Sequence, residues 1–177
     1  MDTTIRRLRS IVFIALILFI APVRAGQGTL LIMGDSLSAA YGVQTEQAWV
    51  ALLRERLDTE QLSGWKVVNA SISGETTDGG LRRLPDLLSE HKPDVVVIEL
   101  GGNDGLRGIS TREMRQNLER MVELARAAGA RVLLAGMRLP PNYGPAFTER
   151  FHRVYHEVAQ AKDVALVPFL MEGVATD

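Results

Sequence analysis

The 177-residue chain contains no cysteine. Disulfides, thiolate nucleophiles and cysteine-ligated metals are therefore excluded. Excess charge of one sign is missing as well. Lys and Arg total 20, Asp and Glu total 21, and the formal net charge is −1. That balance argues against a protein that binds nucleic acid by neutralising phosphates. Aromatic residues are sparse, and no low-complexity tract, linker or internal repeat divides the chain. The phosphate cradles G-x-G-x-x-G and G-x-x-x-x-G-K-[ST] do not occur, nor does the G-x-S-x-G nucleophile elbow. What remains is a hydrophobic fraction of 46%, enough for one ordinary globular domain with a real core.

One uninterrupted apolar run stands out, residues 11–20 (IVFIALILFI). Arg6, Arg7 and Arg9 precede it, and Ala21-Pro22-Val23-Arg24-Ala25 follows, with small residues at 23 and 25. This is the layout of a secretory signal, with cleavage expected after Ala25. The other reading is an uncleaved anchor, but the run falls short of the ~20 residues needed to cross a bilayer. The expected organisation is a signal peptide over 1–25 and one domain over 26–177, which makes the protein exported, periplasmic or secreted. The mature chain would carry 16 basic and 20 acidic residues.

Past residue 25, short apolar runs alternate with amphipathic ones. Residues 29–33 (TLLIM), 66–70 (KVVNA), 94–100 (DVVVIEL), 131–135 and 164–167 read as strands. Residues 48–62, 78–88, 111–128 and 145–162 read as helices. The last has Pro145 in its first turn, where the missing N–H does no harm. Apolar strands separated by helices predict a parallel sheet covered on both faces. Right-handed crossovers make a doubly wound open α/β sheet the simplest arrangement. Ligands in such sheets bind beyond the carboxyl ends of the strands.

Those ends carry small residues and glycines. Gly34-Asp35-Ser36-Leu37-Ser38 follows the first strand, and Ser71-Ile72-Ser73-Gly74-Glu75 the second. Gly101-Gly102-Asn103-Asp104-Gly105 follows the third, and 138–144 (RLPPNYG) the fourth. Ser36 at a strand end is a candidate nucleophile, and a helical turn starting there would favour negative charge on its oxygen. Gly74 offers an unobstructed backbone N–H, and Asn103 an amide donor. A serine flanked by two donors is what acyl transfer requires, because the donors hold the oxyanion of the tetrahedral intermediate. Taken singly, each has a plainer reading: Gly-Asp-Ser as a turn, Asp35 as a helix cap, Gly74 as a turn glycine. His152 and His156 stand four apart on a predicted helix, but the glutamate of the zincin motif is missing between them, and a solvated helix face is the default reading.

Taken together, Gly34-Asp35-Ser36-Leu37-Ser38, Gly74 and Gly101-Gly102-Asn103-Asp104 resemble the first three blocks of the SGNH (GDSL) hydrolases. The longer stretches 68–74 (VNASISG), 99–108 (ELGGNDGLRG), 139–144 (LPPNYG) and 167–169 (VPF) resemble the exported bacterial thioesterase I, lysophospholipase and arylesterase subgroup. Glu75 stands where that subgroup more often has Asp. The resemblance implies a flavodoxin-like three-layer α/β/α fold with a five-stranded parallel sheet. It implies Ser36 as nucleophile and an oxyanion hole made of the Ser36 and Gly74 N–H groups and the Asn103 side chain. Substrates would be lysophospholipids, aryl esters and acyl thioesters. Leu139, Pro140, Asn142 and Tyr143 would border the acyl-chain groove. No metal or organic cofactor is expected, and no nucleic-acid partner or stable membrane anchor.

One block of the family has no counterpart. The fourth, Asp-x-x-His, supplies the general base and the aspartate that orients it, and no Asp-x-x-His occurs among the 177 residues. By this reading the chain resembles a member truncated at its C-terminus, with the family's last helix missing. It should hydrolyse esters poorly and leave apolar sheet surface bare. His91 falls at the amino end of the third strand, and His152 is the one conceivable substitute base. The alternative function is a non-catalytic exported module that binds acyl chains or glycans, or the product of a decayed gene.

Overall fold

A computed structural model describes residues 27–174; segment 1–25, with its expected signal, lies outside them. Five strands form one sheet: β1 (Gln27–Gly34), β2 (Gly64–Asn69), β3 (Val95–Glu99), β4 (Arg131–Ala135) and β5 (Ala165–Val167). Every pairing is parallel and the order is β2-β1-β3-β4-β5. This is the flavodoxin-like order, whose direction of winding reverses between β1 and β3. Five helices connect the strands: α1 (Trp49–Thr59), α2 (Thr77–His91), α3 (Gly102–Leu106), α4 (Thr111–Ala127) and α5 (Pro145–Lys162). The predicted strands and long helices are all present. The short α3 corrects the expectation that 101–105 is only a loop.

Alternation along the strands sorts the core into two faces, since successive side chains leave a strand in opposite directions. Leu31, Met33, Val96, Ile98 and Leu134 pack with Leu84 of α2, Leu118 and Met121 of α4, and Phe151 and Tyr155 of α5. Leu30, Ile32, Val97 and Ala135 point the other way and meet Val50, Trp49 and Leu53 of α1. The layers are unequal. Three helices cover the first face, and α1 is the one helix contributing to the second among the described residues. Val95 and Leu133 are only half-buried there. A cavity of about 500 Å³ beside them is bordered by Ala130, Val164 and Ala165, at the edge of the sheet remote from the strands' carboxyl ends. No helix among the described residues is long and apolar enough to cross a membrane.

Two local devices place the functional edge. Thr76 caps α2 by accepting a hydrogen bond from Gly79 N–H, so α2 begins directly behind Gly74. Tyr155 is fully buried, and its hydroxyl donates to the Leu100 carbonyl at 3.0 Å, tying α5 to the end of β3. Tyr155→Phe removes that donor from a buried carbonyl. The expected loss is about 1–3 kcal/mol, read from urea unfolding as a lower midpoint with an unchanged m-value.

Candidate active site

The β1–β2 pairing does not stop at the last residue of β2. Ala70 N–H donates to the Ile32 carbonyl at 2.9 Å and Ile72 N–H to the Gly34 carbonyl at 3.1 Å. The loop that reaches Gly74 therefore runs alongside the loop that carries Ser36. On the other side of β1, Gly34 stands in register with Glu99. Asn103 Nδ2 donates to Asp35 Oδ2 at 2.9 Å, across 68 residues of sequence. Arg107 Nη2 donates to the Gly74 carbonyl at 2.8 Å. Ser36, Gly74 and Asn103 are thus carried by three loops, each bonded to another, at the carboxyl edge of the central strands.

Ser36 is half-buried in a turn over residues 36–40, within which Ala39 N–H bonds the Asp35 carbonyl; Tyr41 N–H bonds the Ser36 carbonyl. The Ala39 bond closes a single helical turn around the serine that does not continue as a helix; α1 begins only at Trp49. Asp35 caps that single turn. Its Oδ1 accepts from Leu37 N–H at 3.1 Å, a local Asx turn, while its Oδ2 takes the Asn103 amide. The backbone N–H groups of Ser36 and Gly74 have no acceptor among the described residues. Gly74 has φ +79°, a left-handed conformation that a Cβ would strain. The Asn103 amide gives one proton to Asp35 and keeps a second.

A buried acidic cluster lies behind this edge, and the sequence reading passed over it. Glu99 is completely buried. Its Oε2 accepts from Ser38 Oγ at 2.6 Å and from Asp35 N–H at 3.2 Å. Trp49 Nε1 donates to Ser38 Oγ at 3.2 Å. Burial pushes the Glu99 carboxyl up to about 8, and the neighbouring Asp35 charge adds to the shift. Burial also raises Asp35 and Asp104 above the usual carboxylate range. Asp104 accepts from the Thr77 N–H and hydroxyl, and Asn117 donates to the Thr77 hydroxyl, which pins α3 to the start of α2. A Cβ on Gly34 would lie 2.4 Å from Ser38 Oγ and 2.6 Å from Glu99 Oε2, so this contact needs glycine. The signal in the sequence was a single carboxylate closing an otherwise apolar strand.

The other predicted residues divide. Leu139 is buried, turned towards Gly105, while Pro140, Asn142 and Tyr143 are exposed. The Tyr143 hydroxyl lies 3.5 Å from the Leu106 carbonyl, a long contact between the loops that follow β4 and β3. Exposed Tyr41, Val43, Ile72, Leu106 and Tyr143 put apolar surface on the loops after β1, β2, β3 and β4. His91 ends α2, with Nε2 3.7 Å from Glu90, at the opposite edge. His152 is not on a purely solvated face. It is half-buried, with Nδ1 3.2 Å from the Met137 carbonyl and Nε2 3.3 Å from His156 Nε2. Burial holds His152 below the usual histidine range. Among the described residues, no three His, Asp or Glu side chains are grouped to hold a metal ion.

Relatives of known name match the same stretch. The chain is 59% identical over 151 residues to the esterase TesA of Pseudomonas aeruginosa, spanning 85% of this chain and 75% of that protein. It is 46% identical over 162 residues to thioesterase 1/protease 1/lysophospholipase L1 of Escherichia coli K12, spanning 92% of this chain and 74% of that protein. The crystal structure of TesA has the same fold, with a TM-score of 0.81 at 59% identity over 84% of this chain and 82% of that one. The signature of the GDSL-like lipase/acylhydrolase family matches residues 32–177, and on all of these grounds the chain belongs to that family of ester hydrolases.

Proposed function

We propose that the protein hydrolyses acyl esters and thioesters, including lysophospholipids and aryl esters, through an acyl-serine intermediate on Ser36. The observation that carries this reading is a set of unused donors on three mutually bonded loops. The Ser36 N–H, the Gly74 N–H and the second amide proton of Asn103 have no partner among the described residues. These half-buried donors, grouped beside a serine, are what an oxyanion site presents to an oxygen from outside. The family relatives named above as esterase, thioesterase and lysophospholipase support the same chemistry. The other nearby serines suit the role less well. The Ser38 hydroxyl is buried on Glu99, and Ser71 Oγ is buried without a partner.

In this mechanism Ser36 Oγ attacks the substrate carbonyl carbon and its proton leaves to a base. The carbonyl electrons move to the oxygen, which the three donors hold. Collapse expels the alcohol or thiol, which takes up the proton, and water then repeats the sequence to release the acid. The exposed apolar side chains around the loops, with Leu139 behind them and Pro140, Asn142 and Tyr143 in front, would receive the acyl chain. None of the three histidines is bonded to Ser36: His91 is at the far edge, and both ring nitrogens of His152 are engaged elsewhere. The base we assign is therefore the histidine of an Asp-x-x-His block, which the 177 residues do not include. The basic head and apolar run of residues 6–20 support action outside the cytoplasm, after cleavage at Ala25.

In the chain completed with an Asp-x-x-His segment, Ser36→Ala should abolish both p-nitrophenyl ester hydrolysis and covalent labelling by a fluorophosphonate; peptide mapping of the label to Ser38, Ser71 or Ser73 would overturn the assignment. Asn103→Ala should lower kcat by about 10²–10³ with little change in KM. The 177-residue chain should turn over esters far more slowly than a version extended by an Asp-x-x-His segment. Equal rates, both lost with Ser36→Ala, would show that the base lies within these residues.

A further inference from the structure

Glu99 has no role in the chemistry above, yet it sits directly behind the nucleophile. One of its oxygens holds both flanks of the Ser36 turn. Oε2 accepts from the Asp35 N–H, one residue before Ser36, and from the Ser38 hydroxyl, two residues after it. Trp49 of α1 supports the same hydroxyl from outside. Asp35, placed in this way, bonds the Asn103 amide.

The second oxygen has the opposite character. Glu99 Oε1 is buried and has no hydrogen-bond partner. An ionised carboxylate would put part of its charge on that bare oxygen, away from water and beside Asp35. A neutral carboxyl puts an uncharged hydroxyl there, at much lower cost. Among the described residues no positive charge faces Glu99, and the hydrogen bonds it accepts, from Asp35 and Ser38, all fall on the side of the other oxygen. The neighbouring groups are Asp35 and Ser38 from the β1 loop and the Tyr155 hydroxyl from α5, with Trp49 of α1 bonded to Ser38 and Asp104 of α3 acting on Asp35. No Lys or Arg among the described residues forms an ion pair with it. Asp35, by contrast, accepts two hydrogen bonds on its carboxylate, one on each oxygen.

We propose that Glu99 is a positioning residue that works as a neutral acid: it clasps both sides of the Ser36 turn and leaves Asp35 the single anion that aims Asn103. This rests on the reading of Ser36 and Asn103 as nucleophile and oxyanion donor. It adds a proton that the site must keep in order to stay assembled. Ionisation of Glu99 would set two carboxylates against each other under the turn, loosening Ser36 and Asn103 together.

The variants Glu99→Gln and Glu99→Ala, made in the chain completed with an Asp-x-x-His segment, separate this from a merely structural role. Glutamine copies the shape of the neutral acid and cannot ionise. It should keep the rate of fluorophosphonate labelling within about threefold of the parent at neutral pH. The parent's labelling should fall as pH rises through about 8, and the Glu99→Gln profile should stay flat there. Glu99→Ala should lose tenfold or more in labelling rate at every pH. An inactive Glu99→Gln, or one that keeps the alkaline fall, would overturn the proposal.

Two readouts do not depend on Ser36. Carbon-13 NMR of labelled glutamate side chains should show one resonance, missing in Glu99→Gln, that titrates far above the others; titration in the ordinary carboxylate range would overturn the proposal. Melting temperature supplies the other. The folded state keeps a proton that the unfolded chain releases, so rising pH favours unfolding between about 4.5 and 8. The advantage of Glu99→Gln over the parent should therefore grow across that window and level off above it; a constant difference would overturn the proposal. If labelling survives Ser36→Ala while the NMR titration behaves as expected, the nucleophile assignment fails and the protonation of Glu99 stands.

Discussion

Asp35 accepts an amide proton from Asn103, and the candidate site hangs on that bond. It joins the loop after β1 to the loop after β3 at the point where the winding of the sheet reverses. A crevice at that point is a consequence of topology: neighbouring crossovers leave on opposite faces and their loops part. Here the gap is narrow because Gly34 lets Glu99 and Ser38 approach the end of β1. The bond also fixes which proton of Asn103 remains free. Without it the amide could rotate, and a donor that has to be reoriented during reaction stabilises a developing charge less well than one held in place.

The remaining supports follow the same logic. The Arg107 guanidinium holds the Gly74 carbonyl, Thr76 starts α2 just behind it, and Asp104 locks α3 to Thr77. The first and last join the segments that follow β2 and β3, and the Thr76 cap is local to the start of α2. The edge is therefore braced laterally, by loop-to-loop contacts, as well as from the sheet below. Its outer surface carries Tyr41, Ile72, Leu106 and Tyr143, apolar groups suited to an acyl chain. Bracing from below is uneven, since among the described residues one face of the sheet has three helices and the other has α1.

Much of this was legible in the sequence because it follows from periodicity and from punctuation by glycine. The run 94–100 reads as a buried strand, and the glycines at 34 and 101 stand at or just past the ends of β1 and β3. The same patterns gave the long helices α4 and α5 within a residue of their bounds. What escaped was set by tertiary contact. Glu99 reads as a blemish in an apolar strand until Ser38 and the Asp35 N–H are brought to it by the β1–β3 register. The short α3 was missed because Gly-Gly-Asn-Asp-Gly has poor helix propensity; it forms because Asp104 and Thr77 hold it. The turn at Ser36 read as a possible helix start, and it stops after one turn, with Asp35 capping it through Leu37 and reaching across to Asn103. His152 read as a surface residue because nothing in its helix reveals the Met137 carbonyl that it meets.

The convergence of three donors on one oxygen is tested most directly by the structure of the protein after reaction with an alkyl fluorophosphonate. The phosphoryl oxygen of the adduct occupies the place of the oxyanion. On this account the phosphorus is bonded to Ser36 Oγ, and that oxygen lies about 2.7–3.1 Å from the Ser36 N–H nitrogen, the Gly74 nitrogen and Asn103 Nδ2. An adduct on another serine, or an oxygen turned away from Gly74 and Asn103, would contradict it.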